Sequence, residues 1–251
     1  MRFLRECSIV FRRQIRMNLR NPAWVIIGMV QPILYLLLFG PLLKPLITRF
    51  GATNAYTFFV PGMLVQLGIF GAFFAGFSLI GEWREGVIEA ERVTPASRTA
   101  LLVGRLVRDV LQLFVQALIL VGLGYVMGMR GSVPGIAFGV LLTLLVGGAC
   151  AAASNALALT TKSEDVMAPV INMVMMPVLL LSGILLPMTI GPSWLVHVSD
   201  WMPFRWVVDA VRTAFSGQFA SSPMIWGSVW AVVLFSLAIW WGTATFRKED
   251  A

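Results

Sequence analysis

The residues whose types and spacing suit specific chemistry are concentrated in one charged segment, residues 82–98, between two long apolar runs. Carboxylates and guanidinium groups alternate along it, at Glu82, Arg84, Glu85, Glu89 and Arg92. On a short helix such groups can form charge-assisted hydrogen bonds with a partner, and Pro95 would end that helix. Charge alone leaves a second interpretation open, in which the segment is a solvated loop with a charged face.

The residues that would support catalysis or supply energy are missing from the sequence. It contains no Gly-x-x-x-x-Gly-Lys-Ser/Thr phosphate-binding loop, and His197 is its single histidine, too few for a His/Cys metal site. The apolar runs contain no pair of acidic residues of the kind that proton- or sodium-coupled transport uses. We therefore expect no catalytic residue, metal or cofactor on this chain, and any uphill transport must draw its energy from a partner.

Polar side chains inside the apolar runs form a second group of candidates. They are Gln66, Gln112, Gln116, Ser154, Asn155 and Asn172. Gln112 and Gln116 are four positions apart and would share one face of a helix. In lipid an amide needs a protein partner or water, which suits a substrate pathway or the seam of a dimer, with Gln112, Gln116, Asn155 and Asn172 as the candidates. Ordinary hydrogen bonding between helices of one chain is the alternative.

The elements that position these residues must be membrane-spanning helices. Hydrophobic residues form 58% of the 251 residues and charged residues only 12%, against about 25% charged in ordinary soluble domains. Six charge-free runs each reach the length of about 20 residues that crosses a hydrocarbon core as a helix. The runs are Ala23–Leu43, Ala55–Gly81, Val110–Met129, Gly131–Thr161, Val166–Val196 and Pro223–Phe246. Only helices satisfy their backbone at this length in lipid, so we predict one all-α integral membrane domain over residues 1–251.

Orientation follows from the distribution of Lys and Arg. With the N-terminus in the cytoplasm, most of the 19 Lys and Arg residues lie on the cytoplasmic side, as the positive-inside rule requires. Both termini are then cytoplasmic, and we expect the plasma membrane. The arginines lie beside apolar runs, where they face headgroups or cytoplasm. The net charge of +7 therefore does not indicate a nucleic-acid partner.

Two further segments are not simple spans. Residues 2–21 are predicted to form an amphipathic helix in the headgroup plane, with Arg12, Arg13 and Arg16 as membrane-surface residues. Residues 187–222 form an outer segment rich in Pro and Trp, a composition that suits the membrane interface. The fourth and fifth runs are longer than a span needs, and we assign the excess to interfacial ends over residues 131–133 and 187–196.

The segment 82–98 resembles the loop of type-2 ABC exporter permeases, the family that includes the daunorubicin/doxorubicin-resistance permeases. The matching steps are Arg84-Glu85-Gly86, Glu91-Arg92, Thr94-Pro95 and Ser97-Arg98. Downstream, Pro177 with Leu181–Pro187 resembles the family's P-x-x-x-x-S-G-x-x-x-P pattern. Pro203 with Asp209 and Arg212 resembles its P-x-x-x-x-x-D-x-x-R pattern. The resemblance covers nearly the whole chain, in the family's order.

This resemblance implies a division of work between subunits. Two permease subunits, identical or different, would assemble with two separate ATPase subunits that hold ATP and Mg²⁺. The loop after the second span would be a coupling helix, with Glu82, Arg84, Glu85, Glu89 and Arg92 as its contacts to the ATPase. Short re-entrant helices before the last span would include Pro203, Asp209 and Arg212.

The function expected on these grounds is export of an amphiphilic drug, lipid or natural product. Export of a polysaccharide or a lipid-linked glycan is a variant of the same class. Two other classes remain open, a non-transporting membrane scaffold and a lipid-modifying membrane enzyme. The enzyme would have to use acidic residues such as Asp109 and Asp165, which lie only at span edges. Association with an ATPase subunit would separate the exporter from both.

Overall fold

The fold is a bundle of helices, seen in a computed structural model that describes residues 23–43, 45, 54–87 and 98–248. The α-helices in these ranges are α1 (Ala23–Leu43), α2 (Ala55–Phe73), α3 (Ala75–Arg84), α4 (Arg98–Val126), α5 (Val133–Thr161), α6 (Glu164–Leu181), α7 (Ser193–Asp200), α8 (Pro203–Phe215) and α9 (Ser222–Lys248). No strand occurs in the described residues, and the all-α prediction is confirmed. The amphipathic helix predicted over residues 2–21, with Arg12, Arg13 and Arg16, lies outside them.

Five helices of the described chain are long and apolar enough to cross a membrane. They are Ala55–Arg84, Val103–Val126, Val133–Thr161, Glu164–Leu181 and Ser222–Thr245. The first of these, the second span, consists of α2 and α3 together. The first predicted run coincides with α1, whose apolar part, Ile26–Leu42, is shorter than these five. The prediction of a multi-span helical membrane protein is therefore confirmed.

The centre of the bundle is formed by α2 and α5. All residues from Phe59 to Ile69 are buried in α2, and all residues from Val146 to Ala152 are buried in α5. Because these residues are buried on all sides of each helix, both helices are enclosed by other helices. The two backbones come close because neither crossing residue has a side chain: a Cβ built on Gly147 would lie 3.3 Å from the carbonyl oxygen of Gly68.

The helix of the third span begins at Arg98, well before Val110, where the predicted charge-free run begins. Arg105, Arg108 and Asp109 therefore lie on the helix itself. Each has an oppositely charged partner in the structure, which allows the helix to continue through them. The charge-free run Val110–Met129 marks only part of this helix, because a charge-free criterion treats every charged residue as solvated.

The fifth predicted run is divided in the structure. α6 ends at Leu181, and Gly183 in the following turn has a φ of +71°, a left-handed conformation that glycine adopts at little cost. A short 3-10 helix, Met188–Ile190, and then α7 follow. The predicted end of this span near Pro187 is therefore corrected to Leu181.

Two short helices, α7 and α8, precede the last span, as predicted for residues 187–222. α8 packs against α2, α5 and α9. A Cβ built on Gly227 of α9 would lie 2.3 Å from the carbonyl oxygen of Trp206. A Cβ on Gly135 of α5 would lie even closer to the carbonyl oxygen of Ala214. These glycines therefore allow α8 to lie directly against two neighbouring helices of the same chain.

Candidate functional site

A buried ion pair joins the end of α3 to α4. Arg105 donates to Oε2 of Glu82 from Nε, at 3.2 Å, and from Nη2, at 2.8 Å. The side chains of Arg105 and Glu82 are only 3% and 11% exposed. Charges that are taken out of water are stabilised by such pairing, and the loss of a partner is costly. This pair therefore holds α3 and α4 together.

A second pair lies one turn further along α4. Arg108 donates to Oδ1 of Asp109 from Nε, at 2.9 Å, and from Nη2, at 2.6 Å. The other carboxylate oxygen of Asp109, Oδ2, is buried without a hydrogen-bond partner. The formal charges of the two pairs sum to zero, and buried charges are tolerated when they are paired in this way.

More exposed contacts join α3 to the turn between α5 and α6. Nη1 of Arg84 lies 2.9 Å from Oε1 of Glu164, and these side chains are 54% and 41% exposed. Nζ of Lys162 lies 5.9 Å from the ring centroid of Trp83, a cation–π contact. Lys162 has a φ of +50°, and this left-handed residue ends α5 and turns the chain into α6. The end of α3 thus contacts α4 and the start of α6.

Three of the five predicted coupling residues lie in the described part of the chain. Glu82 and Arg84 form the ion pairs above, and Glu85 is exposed in the turn after α3. Glu89 and Arg92 lie outside the described residues. The role of all five toward an ATPase stays a prediction. The sequence did not identify Arg105 as the partner of Glu82, because the two are 23 positions apart and no local spacing rule pairs them.

A hydroxyl group of α5 enters the second span where α2 gives way to α3. Ser154 donates to the carbonyl oxygen of Phe73 at 2.5 Å and accepts a hydrogen bond from the backbone N–H of Gly76 at 3.0 Å. The side chain is buried. Gln66, a polar residue of α2, is also buried, and both of its amide atoms lack a hydrogen-bond partner. The sequence placed both residues inside the membrane but could not distinguish their surroundings.

The predicted intramembrane amides occupy different environments. Gln112 is half-buried, and Gln116 is buried against α1, where a Cβ on Gly28 would lie 2.9 Å from its Nε2. Asn155 is buried in α5, with its Nδ2 lacking a hydrogen-bond partner. Asn172 is exposed on α6. The four side chains therefore do not line one common surface of the chain.

Arg212 connects α8 to two other elements. Its Nη2 donates to the carbonyl oxygens of Gly183, at 2.8 Å, and Ile184, at 3.1 Å, in the turn after α6. Its Nε donates to the carbonyl oxygen of Phe58 in α2 at 3.4 Å, and its Cζ lies 4.2 Å from the Phe58 ring centroid. A planar guanidinium can make such bonds and stack at the same time. Arg212 therefore joins the two downstream motifs of the sequence.

Asp209 lies between two arginines of α8. Its carboxylate is 3.6 Å from Nη1 of Arg212 and 3.7 Å from Nε of Arg205. Burial raises the pKa of Asp209, against the opposing effect of Arg212 and Arg205. Pro203 is the first residue of α8, a position where the missing N–H of proline costs nothing. The predicted outer residues Pro203, Asp209 and Arg212 thus begin α8 and fasten it to its neighbours.

The charged groups near α3 are arranged for contact between helices. Within residues 23–43, 54–87 and 98–248, no three His, Cys, Asp or Glu side chains come together as metal ligands. The carboxylates of Glu82 and Asp109 each accept from an arginine. The pair of Glu82 with Arg105 links α3 to α4, whereas the pair of Arg108 with Asp109 lies within α4. The first pair can therefore transmit movement from the end of α3 into the bundle.

The chain is similar to known transport permeases over most of its length. A family model described as "ABC-2 type transporter" matches residues 5–216. The chain is 27% identical over 245 residues to the ycf38 protein of Cyanophora paradoxa, which is named a transport permease, and the match covers 94% of this chain and 82% of the relative. It is 26% identical over 199 residues to the daunorubicin resistance ABC transporter permease protein DrrB1 of Streptomyces coeruleorubidus, with 78% and 70% covered.

Proposed function

This chain belongs to the family of ABC-2 type transporters, and from that premise we propose that it is the transmembrane permease subunit of an ATP-driven exporter. The proposed substrate is an amphiphilic drug, lipid or natural product that moves out of the cell. The similarity to a permease named for daunorubicin resistance supports an amphiphilic substrate. Supporting the role of a permease is a bundle of apolar helices long enough to cross a membrane.

The observation behind the coupling part of this proposal is the set of ion pairs at the end of α3. Glu82 links α3 to α4 through Arg105, and Arg84 links it to α6 through Glu164. A force applied to the segment after α3 would therefore reach two further helices at once. We propose that an ATPase subunit applies this force through the predicted coupling residues, with Glu85, Glu89 and Arg92 as its direct contacts.

The proposed assembly contains two permease subunits and two ATPase subunits, with ATP and Mg²⁺ held by the ATPases. Asn172 supports a second permease subunit, because an amide exposed on α6 would be costly against lipid and gains a partner at a subunit seam. A substrate-pathway role for Gln112, Gln116 and Asn155 stays a prediction, because these side chains do not line one common surface of the chain. The proposed location is the plasma membrane, with both termini cytoplasmic.

The proposal is tested by co-purification of the detergent-solubilised chain with its candidate ATPase subunit. The decisive variant is the double reversal Glu85→Arg/Glu89→Arg. We expect its recovery of the ATPase to fall about tenfold, which corresponds to a loss of about 1.4 kcal/mol of binding free energy. The matched control is Arg130→Glu, a charge reversal at an exposed residue at the opposite end of the bundle, which should recover as much ATPase as the wild type.

Each other outcome has a defined meaning. Equal recovery by the double reversal and the wild type would show that the segment 82–98 is a solvated face and not the coupling contact. If the wild type itself recovers no ATPase subunit, the exporter proposal is wrong, and the scaffold and enzyme alternatives gain support. A loss in Arg130→Glu as well would indicate a general effect of charge reversal on folding.

A further inference from the structure

The second span contains one interruption, and it is filled by a side chain from another helix. In a regular α-helix the N–H of Phe77 would donate to the carbonyl oxygen of Phe73. Here it donates to the carbonyl oxygen of Phe74 at 3.2 Å. The hydroxyl group of Ser154 occupies the gap, donating to Phe73 O at 2.5 Å and accepting from Gly76 N–H at 3.0 Å. Insertion of a side chain into the helical ladder is a recognised cause of a change in helix direction.

On the α3 side of this contact, the missing side chain of Gly76 leaves room for the hydroxyl group of Ser154. A Cβ built on Gly76 would lie 2.5 Å from the carbonyl oxygen of Ser154 and 2.7 Å from its Oγ. It would also overlap Cε of Met167 in α6, which is fully buried. A larger residue at position 76 would therefore push Ser154 out of the ladder. Both Gly76 and Ser154 are needed for the interruption to have this form.

The interruption separates two parts of the span with different attachments. On the α2 side, Gly62 and Gly68 lie against the turn after α6 and against α5, in the centre of the bundle. On the α3 side, Glu82 and Arg84 form the ion pairs to α4 and α6. A change of direction between the two parts would move the end of α3 while α2 stays in the core.

We propose that Ser154 is a positioning residue: its hydroxyl group fastens a hinge at Phe74 and sets the direction in which α3 leaves α2. In consequence it places the segment 82–98 relative to the bundle. That last step rests on the proposed coupling function, whereas the hinge itself does not. Phe73 O and the N–H of Gly76 bond to Ser154 of α5, and the N–H of Phe77 bonds to Phe74 O. Rearrangement at this point therefore requires the exchange of only a few hydrogen bonds.

The hinge is tested on the isolated full-length chain in lipid nanodiscs by distance measurement between spin labels. The background is Cys7→Ser/Cys150→Ala, which removes both native cysteines. One pair of labels, at positions 85 and 133, spans the hinge, and both native residues are exposed. A second pair, at positions 133 and 160, lies on α5 alone. We expect Ser154→Ala to shift and broaden the distances of the first pair and to leave the second pair unchanged.

The matched control is Thr143→Val on the same helix. Thr143 is also buried, but its hydroxyl group donates only to Gly139 of α5 itself, at 2.9 Å, so both pairs of distances should stay as in the wild type. Gly76→Ala approaches the same contact from α3 and should reproduce the effect of Ser154→Ala if that variant does not fold. Unchanged distances for the first pair in both variants would overturn the hinge. So would equal changes in both pairs, since the effect would then not be local.

The positioning role is tested separately in the complex with the ATPase subunit. The measured quantity is ATP hydrolysis by the complex divided by that of the ATPase subunit alone. We expect Ser154→Ala to recover the ATPase as well as the wild type but to lose most of this stimulation, while Thr143→Val retains it. Full stimulation in Ser154→Ala would overturn the positioning role. Absence of any complex with the wild type would instead contradict the proposed function, and the distances would still decide the hinge.

Discussion

Glu82 and Arg84 stand two positions apart at the end of α3, yet their ion pairs differ in kind. The pair of Glu82 with Arg105 is buried, and the pair of Arg84 with Glu164 is largely exposed. Exposed pairs contribute about 0–1 kcal/mol because solvent screens them. Breaking a buried pair costs about 3–5 kcal/mol because one charge is left without compensation. The buried pair therefore fixes α3 relative to α4, while the exposed pair holds α3 to α6 only weakly.

The first prediction compares arginine-to-methionine substitutions at these two pairs. Arg105→Met should lower the free energy of unfolding by about 3 kcal/mol, because the carboxylate of Glu82 is left buried. Arg84→Met should change it by less than about 1 kcal/mol. The measurement is reversible unfolding of the full chain by SDS in mixed micelles. Equal losses in the two variants would show that burial does not distinguish the pairs.

At the scale of elements, the approach of helices is governed by residues without side chains. Because lipid tails are as apolar as the side chains, helices in a membrane gain no hydrophobic free energy by associating. Close packing of backbones is therefore a main source of stability. α8 makes two such close backbone contacts, one at Gly135 of α5 and one at Gly227 of α9. Arg212 then fastens the same helix to α2 and to the turn after α6. This end of the bundle is thus held by contacts between helices.

The second prediction concerns glycine-to-alanine substitutions inside helices. Gly227→Ala should lower the free energy of unfolding by about 1–3 kcal/mol, since the new methyl group meets the backbone of Trp206 at 2.3 Å. Gly122→Ala is the control, because a Cβ there would meet nothing within 4 Å. It should be neutral or stabilise the helix by up to about 1 kcal/mol. The SDS titration above measures both, and a loss in Gly122→Ala as large as in Gly227→Ala would contradict this account.

At the scale of the whole molecule, the two ends of the bundle are built differently. At one end, ion pairs connect α3 with α4 and with the start of α6. At the other end, the connections are hydrogen bonds to backbone carbonyl oxygens, from Arg212 of α8 and from the start of α2 to the turn between α4 and α5. Asn54 donates to the carbonyl oxygen of Gly128 at 2.8 Å, and Thr57 donates to that of Arg130 at 2.9 Å. The positive-inside rule predicts that the first end is cytoplasmic.

The third prediction tests this orientation by cysteine labelling in intact cells. In the cysteine-free background, a membrane-impermeant maleimide should react with Gln218→Cys, in the exposed turn between α8 and α9. Glu85→Cys, exposed after α3, should react only after the cells are permeabilised. The permeabilised sample controls for the reactivity of each site. Labelling of position 85 in intact cells, with position 218 protected, would reverse the proposed topology.

Much of the fold was predictable because lipid imposes a simple rule on the sequence. Runs without charge must form helices, and the predicted first run, Ala23–Leu43, has the bounds of α1. At two places the charge-free runs do not give the bounds of the helices. Charges paired by tertiary contacts allow α4 to begin at Arg98, and the left-handed Gly183 ends the fifth span early. Arg105 pairs with Glu82, which is far from it in the sequence, so periodicity and composition do not reveal this pair.

The candidate site likewise combines features that the sequence predicts with features that only the structure shows. The sequence by itself indicated that the charges of segment 82–98 begin where the second apolar run ends and that the motif of Asp209 and Arg212 precedes the last run. Hydropathy and residue spacing suffice for this because they are local properties. Only the tertiary structure decided that Glu82 pairs with Arg105, that Arg212 reaches Gly183, and that Ser154 enters the ladder of the second span. The physical reason is that a hydrogen bond between helices depends on distances of about 3 Å. Those distances are set by the packing of the whole bundle.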